Sequence, residues 1–436
     1  MQNNWKEITV QDLIDKGEAV LKTGPFGTQL KADEYVEKGT PVINVRNIGF
    51  GNIREEKLEF INKDTVDRLS SHLLKKDDIV FGRKGAVERH AFINEKYTNW
   101  FQGSDCLRLR IKSDTVLPRF LSYHFLTEQH KQWMMQQCSH GATMASLNQD
   151  IVSRIPVTIP SVEVQKKIVT TLSAFDDLIE NNTRRIAILE EMARLIYREW
   201  FVRYRYPGHE KDKLVDSGTE LGEVPEGWEV RKLENVMEHY IGGGWGKEEK
   251  KEKFPDPGYV IRGTDIPGAT QGDISEVPFR YHKVSNLKSR KLKEGDIVFE
   301  VSGGSKGQPL GRSLLITNTL LSEFDSNVMC ASFCKLMRVD QEITLPELLY
   351  LEIMEMYDDR RIMKYQVQST GISNFKFSFF LEDLNVLIPP KEIQDKFAKI
   401  VRPLFSKIHL LGKKNTRLKE TRDLLLPKLI SGKVGV

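Results

Sequence analysis

Several stretches of this chain carry residue types that could do chemistry, and each falls short of a complete catalytic set. Gly242-Gly243-Gly244-Trp245-Gly246-Lys247 has the glycines and lysine of a phosphate loop. However, Glu248 stands where Ser or Thr should follow, and the glycine spacing is wrong. Residues 303–313 fail the same comparison. An adenine methyltransferase needs a glycine-rich cofactor loop after a strand, and adjacent prolines before an aromatic. Phe254-Pro255-Asp256-Pro257-Gly258-Tyr259 lacks the adjacent prolines. There is no His-Glu-x-x-His, and Cys330 and Cys334 lack the Cys-x-x-Cys or His pair of a zinc site. The chain is expected to be no enzyme and to hold no cofactor or metal. What remains is recognition chemistry. Gly82-Arg83-Lys84-Gly85 and residues 302–312, with Ser302, Lys306, Gln308 and Arg312, combine basic and small polar side chains with glycine. Glycine lets backbone approach closely. Arg and Gln offer paired hydrogen bonds suited to guanine and adenine edges, while Lys and Ser suit phosphates. A plain solvated hairpin is the competing reading of either loop.

The two loops occupy equivalent places in a repeat. Each follows an Asp-Ile-Val-Phe run, Asp78-Ile79-Val80-Phe81 and Asp296-Ile297-Val298-Phe299. Trp5-Lys6-Glu7-Ile8 returns as Trp228-Glu229-Val230-Arg231. Pro41-Val42-Ile43 with Asn47-Ile48 returns as Tyr259-Val260-Ile261 with Asp265-Ile266, and Ile159-Pro160 … Gln165 as Ile388-Pro389 … Gln394. A period of about half the chain exceeds the roughly 20–50 residues of a solenoid repeat. It means two copies of a whole domain, able to address two similar sites.

Short apolar runs at 41–45, 78–81 and 106–111 read as strands bounded by Gly, Asn and Asp, with helical stretches such as 117–138 between them. The fold class is mixed α/β (α+β), with globular domains at 1–157 and 228–387, and a linker at 207–227. Residues 241–258, rich in Gly, Lys and Glu, read as a mobile surface loop. The net charge of +4 on 436 residues is too mild to argue for nucleic acid, and four cysteines make no disulfide framework. No signal peptide and no run of 18 apolar residues is present, so a cytoplasmic protein without a membrane span is expected.

The segments 158–206 and 388–436 are of another kind. Core-type residues recur at alternating steps of four and three: Ile168, Leu172, Phe175, Ile179, Asn182, Ile186, Leu189, Ala193, Ile196, Trp200. The second set is Phe397, Val401, Leu404, Ile408, Leu411, Asn415, Leu418, Arg422, Leu425, Leu429. These are heptad seams. Run antiparallel with Asn182 opposite Asn415, every seam position meets another. A shift of one heptad would bury each amide against an apolar residue, at about 1–3 kcal/mol apiece. The expectation is an antiparallel coiled coil whose register that pair fixes. Pro427 should end or kink the second helix, and Arg422 opposite Phe175 should snorkel or stack. Two amphipathic helices each packed on its own domain is the alternative. The second helix carries an excess of basic residues, including Lys413, Lys414, Arg417, Lys419 and Arg422. Its face could meet solvent, a partner or DNA.

Gly24-Pro25-Phe26-Gly27-Thr28-Gln29-Leu30, Tyr35 and Gly39-Thr40-Pro41-Val42-Ile43-Asn44-Val45-Arg46-Asn47-Ile48 resemble the start of a type I restriction–modification specificity subunit. So do Trp200-Phe201-Val202, the connector from Leu214 to Trp228, and Leu425-Leu426-Pro427-Lys428-Leu429-Ile430-Ser431-Gly432, in the expected order over essentially the whole chain. The resemblance implies two target recognition domains, each reading one part of a bipartite double-stranded DNA site, separated by the two helices. It also implies two modification (methyltransferase) subunits and restriction/translocase subunits as partners. The half-sites should be inverted and unlike. Under this resemblance, the DNA-contacting candidates are Arg83, Lys84, Ser302, Lys306, Gln308 and Arg312. A second patch is Arg46 and Asn47, matched by Arg262 and Thr264. Weaker candidates are Thr28, Gln29, Thr143, Ser373 and Asn374. A duplicated scaffold that binds no DNA is the competing class.

Overall fold

The computed structural model describes residues 5–26, 29–138, 145–303, 308–368 and 373–435. Its contacts divide it into two compact units, Met1–Asp177 with Glu420–Val436, and Leu178–Lys419. Both are mixed α/β, and they are built alike.

In the first unit the main sheet runs Ala19–Thr23, Cys106–Ile111, Ile79–Gly82, His90–Phe92, Phe50–Gly51. In the second it runs Met237–Gly242, Cys334–Val339, Ile297–Glu300, Ser313–Leu315, the same order without the last strand. A smaller sheet follows in each. Thr40–Ile43 pairs in parallel with Phe101–Gln102, as Asp256–Ile261 does with Asn327–Cys330. The first and last strands of each copy close it antiparallel, with Lys6 opposite Ile159 and Glu229 opposite Ile388. Ile79, Val80 and Phe81, like Ile297, Val298 and Phe299, are buried on both faces, which is why these runs are continuously apolar.

Polar ties are duplicated with the strands. Asp78, fully buried, accepts from Arg110 Nε and Nη2, each at 2.6 Å, and from the Lys75 amide at 2.8 Å. Asp296 accepts from Arg338 at 2.7 and 2.8 Å and from the Lys293 amide at 2.7 Å. Each long helix is anchored at its start by a buried glutamine. Gln165 Nε2 donates to the carbonyls of Thr115 and Pro160, and Gln394 Nε2 to those of Ile343 and Pro389, at 2.8–3.1 Å.

The long helices span Val162–Tyr197, continued by one π-helical turn to Val202, and Lys391–Ile430. Within the second unit, Asn182 Nδ2 donates to Asn415 Oδ1 at 2.9 Å, and both are buried. Trp200 packs on Phe397 with ring centroids 5.8 Å apart. Within the first unit, Ile168 and Leu172 cluster with Leu426, Leu429 and Ile430. In both units the helices therefore run antiparallel, in the register the seam predicts. An Asn182→Leu variant should lose about 1–3 kcal/mol in urea unfolding, because Asn415 is left without its amide partner. Asn182→Leu/Asn415→Leu should recover most of it; an equal loss in the double variant would count against the pair as the register-fixing element.

Four local expectations are corrected. The second helix continues through Pro427, and Leu429 is buried, its packing outweighing one lost backbone bond. Arg422 pairs with Asp176 Oδ1 at 2.7 Å, while Asp176 Oδ2 accepts from Arg119 and Tyr123. It is an ion pair in place of a stacked side chain. Residues 117–138 form two helices, Pro118–His124 and Glu128–Cys138. Residues 241–258 are tied down where the Lys247 and Tyr281 backbones exchange hydrogen bonds at 2.9 and 2.8 Å. Part of the second helix's basic excess is spent inside its own unit, since Lys413 pairs with Glu323 and Lys419 lies 3.6 Å from Asp273.

That helix also meets the second domain without side chains between them. A Cβ on Gly412 would lie 1.8 Å from the Gln271 carbonyl oxygen. Helix propensity alone would favour Gly412→Ala by about 1 kcal/mol. Displacing a backbone carbonyl costs more, so a net loss of about 1–3 kcal/mol is expected in thermal unfolding. A stabilised variant would show that this approach is loose.

Candidate nucleic-acid interface

The segments that sequence spacing singles out meet at one end of each main sheet. In the first unit, the Gly24 amide donates to the Cys106 carbonyl at 2.9 Å, and the Arg83 amide to that of Asp105 at 2.9 Å. Gly103 N donates to Ile43 O at 3.0 Å, and Leu147 N to Arg83 O at 2.8 Å. Five loops are thereby gathered, those around residues 24, 44, 83, 104 and 146. The second unit repeats the bonds: Gly243 to Cys334, Val301 to Phe333, Ala331 to Ile261 and Phe375 to Val301, at 2.8–3.0 Å. Glycine is required in the first of these loops. A Cβ on Gly24 would stand 1.9 Å from Gly103 O, and one on Gly243 would stand 2.1 Å from Ala331 O.

The individual side chains divide. Asn47 is fully buried: its Oδ1 accepts from the Asn44 amide at 3.1 Å, and its Nδ2 donates to the carbonyls of Arg54 and Glu56. It shapes its turn and presents no edge outward, as does its counterpart Asp265, which accepts from the Arg262 amide at 2.8 Å. Arg262 is held by Asp265 and the Glu276 carbonyl, and the Asp265 bonds push its pKa up. Arg312 is likewise held by buried Glu300, Nε to Oε2 at 2.9 Å, and its pKa is raised by that bond. These residues build the loops, and a carboxylate already occupies each of the two arginines.

Others stay available. Arg83 lies 5.8 Å from the Phe26 ring centroid and has no carboxylate partner among the described residues. Lys84 is exposed and pairs with Asp105 at 3.3 Å, and exposed pairs of that kind are worth about 0–1 kcal/mol. Arg46 pairs with Glu59 at 2.7 Å with both side chains nearly half exposed. Gln29, Thr264 and Asn374 are exposed, and Gln308 is half-buried. Ser302 Oγ donates to Asn374 Oδ1 at 3.0 Å, and Ser373 pairs with Gly303 across a short ladder. Thr28, Thr143 and Lys306 lie outside the described residues. Among the described residues there is no cluster of His, Cys, Asp and Glu fit for a metal ion, and no helix long and apolar enough to cross a membrane.

A mixed α/β domain thus occurs twice, each copy gathering polar loops at one end of its main sheet. The chain belongs to the family of the type I restriction modification DNA specificity domain, whose model matches residues 2–191 and 225–420. It is 28% identical over 334 residues to the type I restriction enzyme MjaIX specificity subunit of Methanocaldococcus jannaschii, covering 75% of this chain and 71% of that protein. It is 23% identical over 457 residues to the HindI specificity subunit of Haemophilus influenzae, covering 90% and 94%. The crystal structure of a type I restriction–modification S subunit from M. genitalium shares the fold, with a TM-score of 0.57 and 16% identity over 98% of this chain and 96% of that one. These names are those of specificity subunits, not catalytic ones.

Proposed function

We propose that this chain is the sequence-specific DNA-recognition subunit of a type I restriction–modification complex. Residues 1–157 and 228–387 would each read one half of a bipartite site, and the chemistry would be left to partner subunits. The observation that carries this reading is the duplicated gathering of loops. Their backbone bonds are the same in both copies, while their side chains differ: Arg83 and Lys84 in one, Gln308 and Asn374 in the other. Equal scaffolds with unlike loops suit two unlike half-sites. Arg and Lys contacts would supply salt-dependent affinity. The duplication favours two modification subunits, one for each repeat, with restriction/translocase subunits joining them. Nothing specific favours a scaffold that binds no DNA.

The test is methylated-base sequencing of a methylation-free host expressing this chain with its modification subunit, beside a host without the chain. A bipartite motif with a fixed gap, dependent on this chain, is the expected result. Exchanging residues 303–312 should change one half of that motif and leave the other. A motif independent of the chain, or none, would return the scaffold reading.

A further inference from the structure

Two aromatic residues stand at the same point of the two gathered loop sets. Gly24-Pro25-Phe26-Gly27 and Gly243-Gly244-Trp245-Gly246 share a spacing, and the amides of Gly24 and Gly243 bind equivalent carbonyls, those of Cys106 and Cys334. Phe26 and Trp245 are therefore structural counterparts. Both are far more exposed than a large apolar side chain ordinarily is, at 53% and 41%. Each has an arginine over its ring, Arg83 at 5.8 Å and Arg280 at 4.9 Å from the centroid. The two arginines come from different places in the repeat, one after the strand Ile79–Gly82 and one within Phe279–His282. The pairing was thus not simply copied with the domain. In both, the guanidinium Nε is buried without a hydrogen-bond partner among the described residues.

We propose that Phe26 and Trp245 are equivalent stacking residues, one in each recognition domain, that pack on a DNA base face uncovered where the duplex is opened. This rests on the reading of the chain as a DNA-recognition subunit. An exposed ring on a glycine-flanked loop reaches outward with little backbone in its way. A base offers a flat π-face of matching size, and such a contact changes affinity by roughly 10–100-fold. In an intact duplex those faces are covered by neighbouring bases. They become available when a side chain wedges between steps, or when a base leaves the stack for modification by a partner subunit. The adjacent guanidinium holds the ring in place, and in the second domain Arg280 also pairs with Glu248 at 3.2 Å. A protein partner would also cover a ring, and two copies of one modification subunit would meet an aromatic in each domain, so a protein interface is the outcome the test below separates from base stacking.

The test uses the chain assembled with its modification subunit and duplexes of the bipartite site. 2-Aminopurine is placed at the modified position of one half-site or the other, and the 303–312 exchange assigns each half to its domain. At saturating protein, the Phe26→Ala complex should lose the fluorescence rise in the first domain's half-site only, and Trp245→Ala in the other only. Affinity should fall about 10–100-fold in each. Phe26→Tyr and Trp245→Phe should keep both signals, and a duplex with an abasic site at the target should restore Phe26→Ala binding. Unchanged fluorescence and affinity in both alanine variants would overturn the proposal. Equal loss in both halves, with weakened subunit assembly, would do so too and assign the rings to a protein interface. If the parental complex modifies no bipartite site, the recognition reading itself falls, and this proposal with it.

Discussion

Asp296→Ala should cost the second unit about 3–5 kcal/mol, and Asp78→Ala should cost the first unit as much. Each carboxylate is fully buried and accepts both an arginine fork and a backbone amide. Removing it leaves Arg338 or Arg110, themselves only 16% and 21% exposed, as a buried charge without its counter-ion. The amide of Lys293 or Lys75 also loses its acceptor. By contrast, Lys76→Ala breaks a surface pair with Glu95 and should change stability by less than about 1 kcal/mol. Urea unfolding followed by hydrogen exchange separates the units. Asp296→Ala should weaken protection in the strand Ile297–Glu300 and spare Ile79–Gly82; Asp78→Ala should do the reverse. Losses below about 1 kcal/mol would mean that the sheets are held by apolar packing alone and the duplicated ion pair is incidental.

This duplicated pair shows what a sequence can and cannot display. Asp78-Ile79-Val80-Phe81 and its copy are visible because a strand buried on both faces must be apolar throughout. The arginine that meets the aspartate comes from the directly paired neighbouring strand, 32 residues further along the chain for Asp78 and Arg110 and 42 for Asp296 and Arg338, and spacing does not name it. The register of the seam was legible because two amides among apolar seam residues satisfy one another only when they face each other. Pro427 beside the seam and Arg422 on it misled, since the penalties they imply are local, whereas Leu429 packing and the Asp176 carboxylate are tertiary. The recognition loops split for the same reason. Residue type marks Asn47 and Arg312 as hydrogen-bonding groups, but whether the partner is a base edge or the protein's own Arg54 carbonyl and Glu300 depends on chain brought from elsewhere. Phe26 and Trp245 were hidden because their loops match only once Gly24 and Gly243 are aligned through their backbone bonds.

Mild acid should destabilise the first unit well before its carboxylates titrate. His90 is fully buried among apolar and aromatic groups, with the Phe125 ring 5.7 Å away and His130, also buried, 4.7 Å from that same ring. His90 Nε2 bonds Ser122 Oγ at 2.9 Å, while Nδ1 is buried with no partner among the described residues. Burial, reinforced by the Arg119 and Lys131 charges, pushes the His90 pKa down to about 3, and burial holds His130 well below its ordinary value. In the unfolded chain both titrate near 6.5. Above that pH both states are neutral and the histidines contribute no slope. Below it the unfolded chain takes up protons that the folded one refuses, so stability falls with pH until the folded values are reached. Each such proton is worth about 1.4 kcal/mol per pH unit. Between pH 6.5 and 5, His90 alone should therefore remove roughly 2 kcal/mol. The check is the pH slope of the first unit's unfolding free energy, in the parent and in His90→Leu. Leucine forfeits the Ser122 bond at every pH, so its absolute stability is uninformative, but its slope over this window should be shallower by about one proton. An unchanged slope would mean that His90 takes up a proton in the folded domain, and that the cluster opens to water in the native state.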